Sequence, residues 1–317
     1  MPEFTASMRV LILGGSGYIG SHAAEELLRL GYKVRVFSRS FPGLLPPLVC
    51  SHPNFEAVVG DLACPTACQE ALKDCSCVIH CIGTCSPAMS LEDPMSDWQQ
   101  QVQPTVALLR MLRDIQPLRL IFISSGGTVY GPDAPTPTSE TSLCRPVCPY
   151  GIHKLVIENY LYQEHFLHGL NYLILRLSNP YGGRQRPEGL QGAPSVFLNK
   201  VLRGEPIHLW GDGSVKRDFL HISDFVRALA IAVSYEGSER ILNVGSSLSL
   251  SLSDLIQRIE LLTRRQADVR LFPARPFDVA VSELDISLIA SEFKWKPMID
   301  LDAGLTLSLT RQGLNGV

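Results

Sequence analysis

Two side chains set the chemistry that this 317-residue sequence could perform. Tyr150 and Lys154 stand four apart, just after Pro149, in a stretch that reads as the start of a helix, so both project from one face. A free tyrosine ionises at about pH 10, too high for a general base at neutrality. A neighbouring ammonium stabilises the phenolate and makes the pair a proton-transfer device. Tyrosine and lysine at this spacing are equally ordinary surface residues, so the pair gains meaning only from its surroundings. Ser124, Ser125 and Thr128 follow the apolar run 120–123, which places hydroxyls at the carboxyl end of a strand. One of them could bind a substrate hydroxyl; with Gly126 and Gly127 the same residues also make a plain serine-glycine turn.

A second constellation is built for anions. Gly14-Gly15-Ser16-Gly17-Tyr18-Ile19-Gly20 follows a strand and opens a helix, with Gly14, Gly17 and Gly20 at its first, fourth and seventh positions. Free N–H groups and the dipole at the helix N-terminus suit a pyrophosphate, and the missing Cβ atoms permit close approach. The second strand ends Phe37-Ser38-Arg39-Ser40, without the carboxylate that accepts hydrogen bonds from an adenosine ribose. Arg39 and the two serines suit a 2′-phosphate, or Arg39 is a solvated loop charge. Asp61 after Gly60 is either an adenine-side contact or a turn residue.

These groups need a scaffold, and the hydrophobic pattern supplies one. Strands are expected at 9–13, 33–37, 55–59, 77–81, 119–124 and 172–177, buried on both faces, with helices at 19–30, 98–115 and 150–167 between them. Strand and helix in alternation predict an α/β fold, a doubly wound parallel sheet of the Rossmann type with ligands at the carboxyl ends of its strands. After Pro180 the texture changes: 182–194 is loop-like, 195–203 helical and 206–210 a short strand, which starts a smaller C-terminal lobe. The expected division is a dinucleotide-binding domain of 8–182 plus 217–246 and a lobe of 183–216 plus 247–317.

Composition narrows the classes. With 28 basic and 31 acidic residues and a net charge of −3, no broad cationic surface favours nucleic acid or an anionic membrane. Nine cysteines lack the CxxC or His/Cys spacing of a zinc site, so no metal is expected, and reduced thiols are. The first seven residues are too short and polar for a signal peptide, and no apolar run of about 18 residues follows. The expectation is a cytoplasmic protein.

From residue 8 to about 309 the chain resembles the extended short-chain dehydrogenase/reductases, in particular the UDP-sugar 4-epimerases. GGSGYIGSH, VYG (129–131), YGIHK, RLSNPYG (176–182), WGDGSVKRDFLHISD (210–224), NVG (243–245) and ARPFD (274–278) occur in that family's order. The resemblance implies NAD held by Gly14, Gly17, Tyr18, Ile19, Ser38, Arg39, Asp61, Leu62, Cys81, Ile82, Gly83, Ser124, Tyr150, Lys154 and Ser178, with NADP left open by Ser38-Arg39. It implies a nucleotide-diphosphate sugar as partner, held by Asn179, Val196, His208, Trp210, Arg217 and Arg275. Of these, Asn179 would meet the phosphate-sugar part, Trp210 the base, and the two arginines the diphosphate. Tyr150 would take the proton of the sugar 4-hydroxyl, Lys154 would hold the cofactor ribose, and a homodimer would form through 98–115 and 150–167.

The pattern departs from the family at several places. Gly126 stands where the catalytic Ser or Thr is usual, so Ser125 or Thr128 must substitute. Gly83 is followed by Thr84 and Cys85 rather than lysine, Gln101 takes the place of an asparagine, Ser38 that of an aspartate and Phe277 that of a glycine. Ser282 falls where a bulky residue restricts the sugar pocket in some epimerases, which leaves room for an N-acetyl or carboxyl group. The missing acids at Gly126-Gly127 disfavour dehydration and decarboxylation. An NADP-dependent 4-keto sugar reductase and a non-enzymatic cofactor sensor remain as alternatives.

Overall fold

The computed structural model describes residues 8–83, 85–115, 118–185 and 192–311. In chain order the first half runs β1 (Arg9–Leu13), α1 (Tyr18–Arg29), β2 (Lys33–Ser38), α2 (Pro47–Cys50), β3 (Phe55–Val59), α3 (Pro65–Leu72), β4 (Cys77–His80), α4 (Pro87–Glu92), α5 (Pro94–Asp97), α6 (Gln103–Leu112), β5 (Arg119–Ser125) and α7 (Pro149–His168). Then follow β6 (Asn171–Leu177), β7 (Asn179–Tyr181), α8 (Ala193–Arg203), β8 (Ile207–Trp210), β9 (Lys216–His221), α9 (Ile222–Val233) and β10 (Ile241–Val244). The chain closes with β11 (Ser249–Ser251), α10 (Leu252–Thr263), β12 (Val269–Phe272), β13 (Val281–Ser282), α11 (Ser287–Phe293) and α12 (Leu301–Arg311).

Seven strands form one sheet in the order β10-β6-β5-β4-β1-β2-β3. The pairs β1–β2, β1–β4, β2–β3 and β4–β5 are parallel. Chain order reverses at β1, whose neighbours are β2 and β4, and in such sheets the loops leaving the carboxyl ends diverge there to form the ligand crevice. The turn after β1, with its glycines, lies at that switch point. Central strands are apolar throughout because helices cover both faces: Val10 to Leu13 and Cys77 to Ile79 are all buried. Side chains such as Leu11 and Ile79 each contribute roughly 2 kcal/mol through burial. Gly31 ends α1 with φ +90°, a conformation that a side chain resists.

Two expectations are corrected. The strand 55–59 is not buried on both faces: it is the sheet's edge, with one neighbour, and Glu56, Ala57 and Val59 are exposed. The helix expected at 98–115 begins earlier, ends at Leu112 and is not α-helical throughout. Trp98–Val102 winds as one wide π-type turn before α6, because Pro104 can donate no hydrogen bond and its ring crowds the carbonyl four residues back.

The chain divides into two compact units. The first is Met1–Ser125, Cys148–Arg176 and Val226–Leu242; the second is Gly126–Val147, Leu177–Phe225 and Asn243–Val317. The first unit's core gathers Leu11, Leu13, Phe37, Leu108, Phe122 and Ile157. In the second, Phe197, Leu198, Leu209, Phe219, Leu255 and Ile259 pack between α8, α10 and the sheet around β9, which pairs with β7, β11 and β13. This unit includes segments that the sequence reading grouped with the dinucleotide-binding domain, and backbone pairing is the reason. Asn179–Tyr181 pairs with β9, and Thr138 bridges to Leu284. No helix among the described residues is long and apolar enough to cross a membrane.

Candidate active site

The glycine turn is as tight as its sequence requires. Gly14 has φ +77°, and a Cβ there would lie 3.2 Å from Ile82. A Cβ on Gly20 would press within 2.5 Å of the Gly14 carbonyl, so α1 starts directly against the turn. Gly17 caps α1 without a side-chain hydrogen bond, and no acid occupies the first turn, which leaves that helix end suited to a phosphate. Tyr18 and Ile19 are half-buried at its start, and the Tyr18 ring meets His22 edge-on. The Ser38 hydroxyl accepts the Ser16 N–H at 3.1 Å, tying the end of β2 to the turn. Arg39 is exposed and has no ion-pair partner among the described residues. Asp61 is also exposed and engages the Ala63 N–H with a carboxylate oxygen, 2.9 Å away, as a turn residue does. Leu62 is buried in the core; Cys81 and Ile82 are half-buried, and burial pushes the Cys81 thiol up to about 12. Gly83 is exposed, and Thr84 lies outside the described residues.

The proton-transfer pair sits on the buried stripe of α7. Gly151, His153, Lys154, Ile157, Glu158, Leu161 and Glu164 face inward, so this helix carries charged groups where apolar ones are the rule. Lys154, 5% exposed, donates to the Ile123 carbonyl at 3.0 Å, and its ammonium lies 4.8 Å from the Phe122 ring centroid and 5.8 Å from that of Tyr150. Burial pulls its pKa down to about 8, against Cys81, Asp97 and Glu158, which favour the charged form. The Tyr150 hydroxyl is pushed up, first by burial and then by the charge of Asp97, while a hydrogen bond with Ser125 acts the other way. Its backbone N–H donates to the Ser90 hydroxyl at 3.0 Å.

Of the two candidate hydroxyls, Ser125 is thus hydrogen-bonded to Tyr150. Thr128 lies in the second unit, its buried hydroxyl without a hydrogen-bond partner among the described residues. The Ser124 hydroxyl donates to Glu158 at 2.5 Å, and Glu158 takes a two-pronged ion pair from Arg176. His80, buried under Phe122, has its pKa pushed down to about 3 by burial and by Lys154; its Nε2 pairs with Thr105, and its Nδ1 has no side-chain hydrogen-bond partner among the described residues.

In the second unit, Asn179 donates to the Asp218 carbonyl at 3.0 Å. A Cβ on Gly127 would meet Ser282 at 3.6 Å and the Asn179 amide at 3.8 Å, so Gly127 leaves space between its own backbone and both side chains. Ser178 is buried and its N–H pairs with Val244. Arg217 donates to the Val279 carbonyl at 2.6 Å and pairs with Asp278 at 3.2 Å; burial lowers its pKa. Val196 is half-buried and packs on the lobe core. On β8 the two-residue alternation turns Ile207 and Leu209 into that core and leaves His208 and Trp210 on the other face. There they meet Phe272 of β12, with centroid distances of 5.0 and 5.8 Å, and the Arg275 guanidinium stacks 3.6 Å from the Trp210 centroid. The sequence reading missed Phe272, Asp97, His153 and the Glu158–Arg176 pair. A charged residue on an otherwise apolar helical stripe was the available signal for His153 and Glu158.

The family model described as NAD dependent epimerase/dehydratase matches residues 10–245. The chain belongs to that family. Its solved relatives include the UDP-glucose 4-epimerase of Thermotoga maritima with UDP-glucose, at a TM-score of 0.89 and 30% identity over 97% of this chain and 100% of that one. The UDP-glucose 4-epimerase of Thermus thermophilus in complex with NAD gives 0.88 and 29%, covering 98% of this chain and 100% of that one. The dTDP-4-dehydro-6-deoxyglucose reductase of Escherichia coli is 33% identical, covering 93% of this chain and 95% of its own. The NAD dependent epimerase/dehydratase fold thus carries at least two chemistries among relatives of comparable distance, and the site has to discriminate between them.

Proposed function

We propose that the chain inverts C4 of a nucleotide-diphosphate sugar of the UDP-hexose class, with NAD held on the glycine turn. The observation that carries this reading is the Ser125–Tyr150–Lys154 constellation at the carboxyl end of β5. The tight turn, the uncapped start of α1 and the absence of an acid in its first turn fit a pyrophosphate. Bound there, NAD supplies the acceptor and later the donor of the C4 hydride. Tyr150 takes the proton of the 4-hydroxyl and returns it, Ser125 orients the tyrosine hydroxyl, and Lys154 stabilises the phenolate and holds the ribose. Asn179, Trp210, Arg217 and Arg275 bind the sugar nucleotide, the arginines through forked contacts to the diphosphate. Gly127, which faces both Asn179 and the small Ser282, supports acceptance of an N-acetyl or carboxyl substituent as well as a plain hexose. A homodimer through α6 and α7 belongs to the same reading.

One observation favours a second reading: Arg39 is exposed, without an ion-pair partner among the described residues, at the end of a strand that has no acid, which suits NADP and a 4-keto sugar reductase. One experiment separates the two. Small molecules released on denaturation are weighed, and the protein is incubated with UDP-hexoses, UDP-N-acetylhexosamines and UDP-uronic acids under NMR. Co-purified NAD and C4 inversion without net cofactor use support epimerisation. Consumption of NADPH with a 4-keto sugar only would replace it.

A further inference from the structure

Tyr150 and Lys154 share their corner with a charged pair that the proposed chemistry does not use. Asp97 ends α5 with its carboxylate wholly buried. One oxygen accepts the side-chain N–H of Gln101, and the other accepts Nδ1–H of His153 at 2.6 Å. His153 lies on α7 between Tyr150 and Lys154, braced edge-on by Trp98 at 5.5 Å between ring centroids, with its side chain 10% exposed. The π-type turn over Trp98–Val102 brings Trp98 and Gln101 into this arrangement. A buried carboxylate facing a tyrosine that has to ionise works against the phenolate, so its placement here needs a counterpart. With Nδ1 committed to Asp97, the other ring nitrogen of His153 is where a proton is gained or lost. Protonated, the pair is neutral overall; unprotonated, it carries one negative charge.

We propose that Asp97 and His153 form a positioning pair for Tyr150, in which the proton on His153 decides whether the tyrosine faces a negative charge or a neutral ion pair. The proposal rests on the reading of Tyr150 as the base. The other groups that face this corner are Ser125 at the end of β5, Cys148 ahead of α7, Cys85 ahead of α4 with Asp93 beside it, and Lys154. Lys154 in turn faces His80 and Cys81 at the end of β4 and Glu158 on α7. Burial holds Cys85 at about 11 and Cys81 at about 12 as thiols, and His80 at about 3 as a neutral ring. His153 is the ionisable ring in direct hydrogen-bond contact with Asp97.

The test places 3,5-difluorotyrosine, more acidic than tyrosine, at position 150 of the full chain and follows its single fluorine resonance against pH. In the otherwise unaltered protein the resonance shows a first inflection that reports the charge of the Asp97–His153 pair and a second when the phenol ionises. Asp97→Asn removes the first inflection and lowers the phenol midpoint by about one pH unit, whereas His153→Gln removes it and raises the midpoint by about one unit. The acid limb of the kcat/KM profile moves in the same opposed directions. A single inflection in the unaltered protein, or midpoints that move the same way in both variants, overturns the proposal without relying on the stability of either. The resonance reads the coupling whether or not a sugar nucleotide turns over, so a failed 4-epimerase reading shows in the product assay and a failed coupling in the spectrum.

Discussion

The corner around Tyr150 and the ledge around Trp210 are built on opposite terms. In the corner nearly every polar group is buried and committed to another: Lys154 to the Ile123 carbonyl, Ser125 to Tyr150, Asp97 to Gln101 and His153, Ser124 to the Glu158–Arg176 pair. On the ledge, Trp210 and Phe272 remain 37% and 40% exposed, and their contacts are ring faces and one stacked guanidinium. Interlocked hydrogen bonds in a water-poor site fix atoms closely enough for proton transfer. An aromatic face half open to solvent offers area to a planar partner and tolerates adjustment. The corner should therefore govern rate and the ledge affinity.

The largest effect that can break this division is Tyr150→Phe, which removes one oxygen and leaves the ring. Turnover should fall on the order of 10³-fold with KM and melting temperature little changed, since positioned acid–base groups contribute roughly 10² to 10⁴. A variant that keeps a tenth of the rate would remove Tyr150 from the chemistry. Lys154→Met comes next. The native pKa of Lys154, about 8, lies below its ordinary 10.5, so between these values the unfolded chain binds more protons than the native one. The cost of the buried ammonium is thus full below about pH 8 and fades as pH rises toward 10.5. Lys154→Met should lose at least about 10²-fold in turnover yet gain about 1 kcal/mol of stability at pH 7, an advantage that shrinks at pH 10. Denaturant unfolding at the two pH values checks it; equal differences at both would mean that burial of the charge is not what the site sustains.

The corner and the ledge were also unequally legible in the sequence. Gly14, Tyr150 and Lys154 could be placed because their signals are local: a turn that only glycine fits and a helical spacing of four. Trp210 was readable through the family resemblance, but Phe272 was not, because β12 pairs with β8 across some sixty residues and nothing in VRLF announces that register. Asp97 and His153 are distant in sequence, and they meet where α5 packs against α7. The edge position of β3 was equally invisible, since strand order is a property of the assembled sheet. The β8–β12 register and the edge place of β3 escaped prediction, whereas the glycine turn and the spacing of Tyr150 and Lys154 did not.

Trp210→Ala tests the other half of the comparison. Loss of the ring removes the surface on which Arg275 stacks and on which a nucleotide base would lie. KM for the sugar nucleotide should rise about tenfold, in keeping with the roughly 1–3 kcal/mol that base–aromatic stacking contributes, while kcat stays within about twofold. Steady-state kinetics read both. A fall in kcat as large as the rise in KM would mean that the ledge also aligns the reacting sugar, and the division between rate and affinity would have to be abandoned.

The smallest expected effect sharpens the comparison from inside the first unit. Ser38 ends β2 and accepts the Ser16 N–H, a task that an aspartate oxygen can perform equally well, so Ser38→Asp should keep the turn. The carboxylate then has a second oxygen for ribose hydroxyls and a charge that repels a 2′-phosphate. Affinity for NAD relative to NADP should rise by roughly three- to tenfold, about 1 kcal/mol, with the rate of the loaded enzyme unchanged; calorimetric titration with each dinucleotide measures it. If the ratio moves and the rate does not, this residue sorts with Trp210 although it belongs to the same unit as Tyr150. Membership of a unit would then say little about role, and the number of committed hydrogen bonds around a side chain would say more. If the rate falls together with affinity, the Ser16–Ser38 tie is part of what positions the nicotinamide end, and the interlocked corner extends further along the crevice than the buried network alone implies.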